Sequence, residues 1–298
     1  MTPVFYDQRM NVAWLDSFSP SAGKPARFVE LLQHHAFHAY GPNMLGKVEP
    51  VVLIDLCRVH SHDYVYGVIN GAILNGFENN DPRVADSCLW TIGSLLSAAR
   101  HAIKHPEVPV CSPTSGYHHA HWDSGGGFCT FNGLMVVAAK LIKENPGFKV
   151  AILDCDMHFG CGTENILKKF PGLAPHVLHI TAGKHFYGDN QKQEALEFQA
   201  WLHESIEDIN AFKPDLVLYQ SGADPHVNDP LGGFLTTEEL KQRDRTVFRG
   251  IHAPICWNLA GGYQRPKDGT IFTDPVLEIH HNTLRESDAS IPSRKAHL

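Results

Sequence analysis

The sequence predicts an α/β protein, with a central, mostly parallel sheet held between two layers of helix. Three observations carry that expectation. Short apolar runs recur at 108–111 (VPVC), 149–154 (KVAILD), 177–181 (VLHIT), 215–220 (DLVLYQ) and 255–259 (ICWNL). They are apolar on both faces, as strands buried from both sides in a parallel sheet must be. Helical spacing of apolar residues alternates with them, at roughly 26–39, 87–103, 131–144, 194–211 and 237–249. Such alternation closes into right-handed crossovers and a three-layer α/β/α arrangement.

Each helical segment has its own pattern. Phe28, Leu31 and Leu32 share a face of the first, and Ile92, Leu95, Leu96 and Ala99 a face of the second. Leu134, Val137, Ala138 and Leu141 do so in the third, and Ala195, Phe198, Leu202, Ile206 and Ile209 in the fourth. Leu240 and Val247 mark the fifth. Gly and Pro are scattered between these segments as loop punctuation, with no linker-like tract and no repeat. One domain over 1–298 is expected.

Composition excludes several classes. Of 298 residues, 43% are hydrophobic and 19% charged, which rules out disordered, collagen-like and coiled-coil chains. The net charge is −7 and no Lys/Arg block occurs, so nucleic acid is not an expected partner. The seven cysteines form no CxxC pair and several sit in apolar runs, the usage of buried thiols in a reducing, cytoplasmic compartment. The start, MTPVFYDQRM, has no secretory pattern, and no apolar run is long enough to span a membrane. The 20 histidines make their spacing worth reading.

Polar clusters follow three of the expected strands: Asp154-Cys155-Asp156-Met157-His158, Ser221-Gly222-Ala223-Asp224 and Gly261-Gly262-Tyr263. Ligand sites of open α/β sheets form outside the carboxyl ends of the strands, so these clusters should converge. Alternate residues of an extended segment point the same way, so Asp156 and His158 can offer oxygen and nitrogen to one cation, with Asp224 as third ligand. Two Asp and one His with an open position suit a catalytic zinc, and Fe(II), Co(II) or Mn(II) also fit a set without thiolate. Taken alone, the DxDxH triplet also reads as a strand-end turn with capping carboxylates. His118 and His119, in a Gly-bounded loop, suit a base and an electrostatic partner, whereas His34–His35 and His280–His281 read as surface pairs. Phe128, after Gly125-Gly126-Gly127, reads as a channel wall or as an ordinary core aromatic. Tyr263 reads as a donor to a developing oxyanion or as a buried structural tyrosine.

Together these residues resemble the histone deacetylase superfamily of zinc-dependent amidohydrolases, which has the arginase/deacetylase fold and includes acetylpolyamine deacetylases. The similarity runs through KPARFVELLQ, VHSHDYVYGVING, SGYHHAHWDSGGGFCTFNG, VAILDCDMHFGCGT, SGADPHVNDPLGGF and NLAGGY, nearly end to end. The resemblance implies Asp156, His158 and Asp224 as zinc ligands, His118 and His119 as the tandem histidines with His119 the main acid–base, and Tyr263 as the transition-state tyrosine. It implies Asp154 as the carboxylate orienting His118, and a structural potassium ion near Asp154, Asp156, His158 and Thr181. Gly127, Phe128 and Leu231 match the wall of an acyl-lysine tunnel, with Phe186 as an opposite aromatic wall.

Two positions depart from the family pattern. Phe159 stands where a second histidine is usual, and Cys161 where Asp or Asn orients the second tandem histidine, here His119. A thiol is a weak partner beside a carboxylate. The expected activity is metal-assisted hydrolysis of an acylated lysine in a peptide or protein, or of a small acylated amine. A two-metal ureohydrolase of the same fold would need more carboxylates and would leave Tyr263 unexplained. A non-catalytic acyl-lysine binder is the remaining alternative. The segment 77–86 is expected at the channel rim, with Asp81 in a solvated turn.

Overall fold

Val150 and Ile152 point to one side of their strand and Ala151 and Leu153 to the other, and all four are fully buried. A run with no polar face can be satisfied only if helices cover both sides of the sheet. The protein is described by a computed structural model over residues 1–12, 17–35 and 45–297. Among these residues seven strands form one sheet: β1 (Val4–Phe5), β2 (Leu45–Gly46), β3 (Val110–Ser112), β4 (Val150–Asp154), β5 (Val177–Thr181), β6 (Leu216–Gln220) and β7 (Ile255–Asn258). Their spatial order is β2-β1-β3-β7-β6-β4-β5, and every neighbouring pair is parallel.

The helices divide between the faces. One layer holds α1 (Lys24–His35), α7 (Gln191–Phe212), α8 (Thr237–Gly250) and α9 (Pro275–His297). The other holds α2 (Leu53–Leu56), α3 (His62–Ile69), α4 (Pro82–Lys104), α5 (Gly133–Glu144) and α6 (Cys161–Lys169). Helix α4 begins earlier than the expected 87, because Asp81 caps it by accepting from the Arg83 N–H at 2.9 Å and Pro82 occupies its first turn. The first helix was expected to reach 39, and 36–39 lie outside the described residues.

Two strands and several helices were not expected. Strands β1 and β2 are two residues each, too short to show a period. Helix α9 hides its pattern because polar residues fill its buried side. Thr283 Oγ1 donates to Asp244 at 2.6 Å, and Arg294 donates to Ile251 O and Ala253 O at 2.8 and 2.7 Å. His280 corrects the surface reading of its pair: it is fully buried in α9, edge-on to Phe28, and burial holds its imidazole well below the usual range.

Four neighbouring strands end level. Ser112 pairs with Asn258, Asn258 with Gln220, and Gln220 with Asp154. The loops after β3, β7, β6 and β4 therefore open side by side.

Candidate active site

Those four loops carry the polar clusters. Asp154 ends β4 and is fully buried; its Oδ1 accepts from Gln220 Nε2 at 3.0 Å and from the Asp156 N–H at 3.2 Å. Its Oδ2 lies 2.7 Å from Nδ1 of His118. Two residues on, Asp156 and His158 turn to the same side and meet Asp224 from the loop after β6. One ligand atom from each lies within 4.8 Å of the others. His158 Nδ1 is 2.9 Å from Asp224 Oδ2 and 3.2 Å from Asp156 Oδ1.

Backbone donors fix the outer oxygens: Gly261 N–H to Asp156 Oδ2 at 2.8 Å and Met157 N–H to Asp224 Oδ1 at 3.2 Å. Position 261 must be glycine, since a Cβ there would sit 2.4 Å from Asp224 Oδ2 and 2.6 Å from Asp156 Oδ2.

The charges in this cluster are unbalanced. Burial, then the charge of Asp156, pushes Asp224 up to about 7. Burial also raises Asp156, but His118 and His158 outweigh it and hold that carboxyl well below the usual range. Burial lowers His158, yet its hydrogen bonds to Asp156 and Asp224 carry it up to about 11. The two carboxylates thus share one negative charge easily and hold a second only with a cation between them. Two buried carboxylates and a partly exposed imidazole, converging, fit a divalent metal ion in donor type and number.

The tandem histidines sit in opposite electrostatic states. Burial works against charge on His118, but Asp154 and Asp156 raise it to about 9. For His119, burial and then the positive field of His118 lower the imidazole to about 3. Adjacent residues are thereby set as a charged group and a neutral base, the arrangement acid–base sites require. The loop holding them is strained. Tyr117 has φ of 97° and is held by its hydroxyl bond to Thr91 O at 2.9 Å. Gly127, at φ of 52°, packs where a Cβ would lie 2.4 Å from His119 Cδ2. Cys161 Sγ lies 3.5 Å from Nδ1 of His119.

An aromatic wall stands beside the cluster. Phe128 has its ring 5.9 Å from that of Tyr263 and 5.7 Å from Phe77. Tyr263 is anchored by its N–H to Asp229 Oδ2 at 2.8 Å, its ring 6.3 Å from that of His158. Burial, reinforced by the Asp156 and Asp224 charges, pushes its phenol well above the usual range. Leu231 is exposed. The structure does not bring Phe186 to this wall. It is buried instead between Phe198, Trp201 and Phe234, at ring distances of 5.5, 5.7 and 5.4 Å, because apolar residues of α7 offer it more contact. Thr181 lies level with Asp154 and accepts from the Gly160 N–H at 3.3 Å. Phe159 packs under the Lys184 ammonium, 5.2 Å from the ring centre. Asp81 is engaged in its helix cap and an ion pair with Arg83.

Several residues at the site were not found by sequence reasoning, among them Asp229, His121, Phe18 and Lys24. Phe18 stacks on Tyr263 at 6.1 Å, and its stretch 17–20 carries no periodic signal. Lys24 is buried, and its ammonium donates to Ala260 O at 2.7 Å, bracing the turn that leads to Tyr263. A lysine at the head of an amphipathic helix reads as solvated, so nothing local marked it.

An all-parallel α/β sheet whose level strand ends gather two carboxylates, an imidazole and a split histidine pair defines a hydrolase with a candidate metal centre. A sequence model of the histone deacetylase domain matches residues 22–197 and 189–275, and the chain belongs to the histone deacetylase family. It is 28% identical over 248 residues to an uncharacterised protein of Picosynechococcus sp., a match covering 76% of this chain and 80% of the other. Histone deacetylase 5 of Arabidopsis thaliana is 30% identical over 179 residues, 49% of this chain and 26% of that protein. Acetylpolyamine amidohydrolase of Mycoplana ramosa is 28% identical over 199 residues, 59% of this chain and 56% of that protein. The chain thus spans about a quarter of the first named deacetylase and about half of the second. The crystal structure of the HDA15 HD domain superposes with a TM-score of 0.72 at 20% identity, covering 96% of this chain and 90% of that one, a likeness of fold. Among the described residues no helix is long and apolar enough to cross a membrane.

Proposed function

We propose that the chain is a zinc-dependent amidohydrolase that removes an acetyl or other acyl group from an acylated lysine or small amine. The observation carrying this reading is the convergence of Asp156, His158 and Asp224 beside a histidine held neutral. These three residues would hold the zinc, which when bound supplies a Lewis acid and lowers the pKa of water.

The chain's own groups do the rest. His119 enters the reaction unprotonated, takes a proton from water and returns it to the departing amine, a role typically worth about 10²–10⁴-fold. His118, kept charged by Asp154, supplies a fixed positive field next to it. Tyr263 keeps its proton, because burial disfavours the phenolate, and donates it as a hydrogen bond to the developing oxyanion. Phe128, Gly127 and Leu231 flank the entering acyl-amine stem, and Phe18 extends that wall. A structural potassium ion beside Asp154, Asp156, His158 and Thr181 is part of the proposal, supported by the level register of Asp154 and Thr181. The seven free thiols support a reducing, cytoplasmic setting, and the acidic balance supports a substrate other than nucleic acid. Residues 1–298 are proposed as one catalytic domain.

The test measures bound zinc and turnover of a fluorogenic acetyl-lysine peptide and an acetylated polyamine, for the unmodified protein and for Asp224→Ala. One zinc per chain and hydrolysis of either compound, both lost in Asp224→Ala, are expected. Full zinc content in Asp224→Ala would remove the ligand assignment. Zinc without turnover of any acyl-amine would leave a binding protein.

A further inference from the structure

Cys161 touches two imidazoles. Its Sγ lies 3.5 Å from Nδ1 of His119 and 3.4 Å from Nε2 of His121, both within reach of a hydrogen bond to sulfur. The backbone makes this meeting firm. The Gly162 and Thr163 N–H groups of α6 donate to His118 O at 2.8 and 3.1 Å, docking the helix start on the histidine loop. The approach needs a glycine at 162, where a Cβ would lie 2.3 Å from Ala120 O.

His121 is held from both sides of its own backbone. Its N–H donates to Ser124 O at 2.8 Å, and its carbonyl lies 2.8 Å from Nδ1 of the buried His60. His60 Nε2 accepts from the Asn132 N–H at 2.9 Å, so its proton is on Nδ1 and its bond to His121 O is a donated one. Residues 119 and 121 therefore present their rings to one sulfur from a fixed loop.

A thiol has one proton and lone pairs on the same atom, so two imidazoles cannot use it alike. At most one of them can accept the thiol proton, and a ring that donates its N–H to the sulfur cannot be that one. A base at Nε2 of His119 requires the proton of that ring on Nδ1, which faces the sulfur, so His119 is the donor. That leaves Nε2 of His121, 3.4 Å from the sulfur, as the imidazole nitrogen to which the thiol proton can be given. The chain of bonds runs one way, from His119 Nδ1–H to Sγ and from S–H to His121 Nε2.

We propose that His121 is a positioning residue of the site: by accepting the Cys161 thiol proton it turns a sulfur lone pair onto His119 Nδ1–H and holds His119 in the tautomer whose Nε2 is free. Without that acceptor the thiol rotor is undirected, and its proton can point at Nδ1 and favour the wrong tautomer. A carboxylate at 161 would need no such help, because it has no proton to misdirect. The pairing of His121 with Cys161 is what lets a thiol stand in that place. The inference deepens the proposed amidohydrolase reading and rests on it.

The experiment is a double-mutant cycle. His121→Phe keeps the ring and removes the acceptor, and His121→Gln restores an acceptor through its amide oxygen. Each is made in the unmodified chain and in Cys161→Asp, and kcat and KM are measured on one acetyl-lysine peptide with zinc content and melting midpoint alongside. In the unmodified chain His121→Phe should lower kcat about tenfold with KM within about twofold, and His121→Gln should recover much of the loss. In Cys161→Asp the same His121→Phe change should alter kcat by less than about twofold. An equal loss in both backgrounds, or no loss in either, overturns the proposal.

A second readout does not depend on turnover. The rate of Cys161 alkylation by iodoacetamide, followed by peptide mass spectrometry, should fall several-fold in His121→Phe, since the acceptor polarises S–H toward thiolate. An unchanged rate breaks the His121–Cys161 link. If that rate falls while no protein hydrolyses an acyl-amine, the hydrogen-bond chain stands and the amidohydrolase reading fails.

Discussion

Asp154 reaches His118 with a 2.7 Å contact between buried partners, whereas Nδ1 of the next histidine, His119, faces the thiol of Cys161 at 3.5 Å. The two neighbours are thus given different partners, a carboxylate and a thiol. Burial is strong at both; Asp154 and Asp156 nevertheless raise His118 to about 9, while burial and then the charge of His118 lower His119 to about 3. Four consequences can be measured.

Replacing the thiol by a carboxylate should move the acidic limb of activity. A negative charge beside Nδ1 stabilises the imidazolium of His119, so Cys161→Asp raises its pKa, and the base must be deprotonated to act. The acidic limb of kcat/KM against pH should shift to higher pH in Cys161→Asp and move little in Cys161→Ser. Coincident limbs for wild type and Cys161→Asp would show that residue 161 does not act on His119.

Removing the hydroxyl of Tyr263 should affect chemistry more than binding. Tyr263→Phe keeps the ring that Phe18 and Phe128 contact, and the N–H bond to Asp229 is backbone. Metal content and melting midpoint should be unchanged, while kcat falls by roughly 10²–10³-fold with a smaller change in KM. A kcat equal to wild type would exclude the phenol as the oxyanion donor.

Gly261→Ala should weaken the metal centre without touching a ligand. Its methyl would lie 2.4 Å from one carboxylate oxygen and 2.6 Å from another, both in buried side chains that cannot yield. The segment must back away and give up the 2.8 Å bond to Asp156. Zinc affinity, measured by competition with a chelating dye, should drop by about 10–100-fold, the cost seen when a group orienting a ligand is lost. Unchanged affinity would mean that the glycine turn does not support the carboxylates.

The metal-free protein should lose stability as pH rises above the ordinary histidine value of 6.5 toward about 8. Folding raises His118 to about 9 and His158 to about 11 from an ordinary 6.5. These two histidines bind more protons in the folded chain than in the unfolded one throughout that window, so their contribution to stability falls as pH rises, while His60, His119, His179 and His280, lowered by burial, act the other way only around and below 6.5. The stabilisation is complete below 6.5 and is lost as pH climbs through the folded values. Melting midpoints of chelator-treated protein at successive pH values check this, and a rising midpoint would contradict it. Zinc held as proposed would take the place of the His158 proton and should flatten that part of the slope.

The sequence alone was enough for the five longer strands and for singling out Asp156, His158 and Asp224, which the structure brings together as one candidate cluster. Runs such as VAILD have no polar face, and a strand without a polar face has one kind of environment open to it. The alternation Asp154, Asp156, His158 is likewise local, because extended backbone sends every second side chain the same way. What local pattern cannot carry is contact between distant segments. His280 looks like one of a surface pair until α9 packs against Phe28, and Phe186 looks like a wall until Phe198 and Phe234 enclose it. Lys24 and Phe18 reach the site only because α1 and the segment before it fold over the turn at Ala260 to Tyr263. His121 gains its place only when the start of α6 docks on the loop of His118. Periodicity and motif spacing are properties of a stretch of chain, so they determined the longer strands, the crossovers and the candidate cluster of Asp156, His158 and Asp224. Burial, tautomer and pKa depend on what long-range packing brings alongside, so the tertiary structure alone decided which histidine is charged and what holds the other.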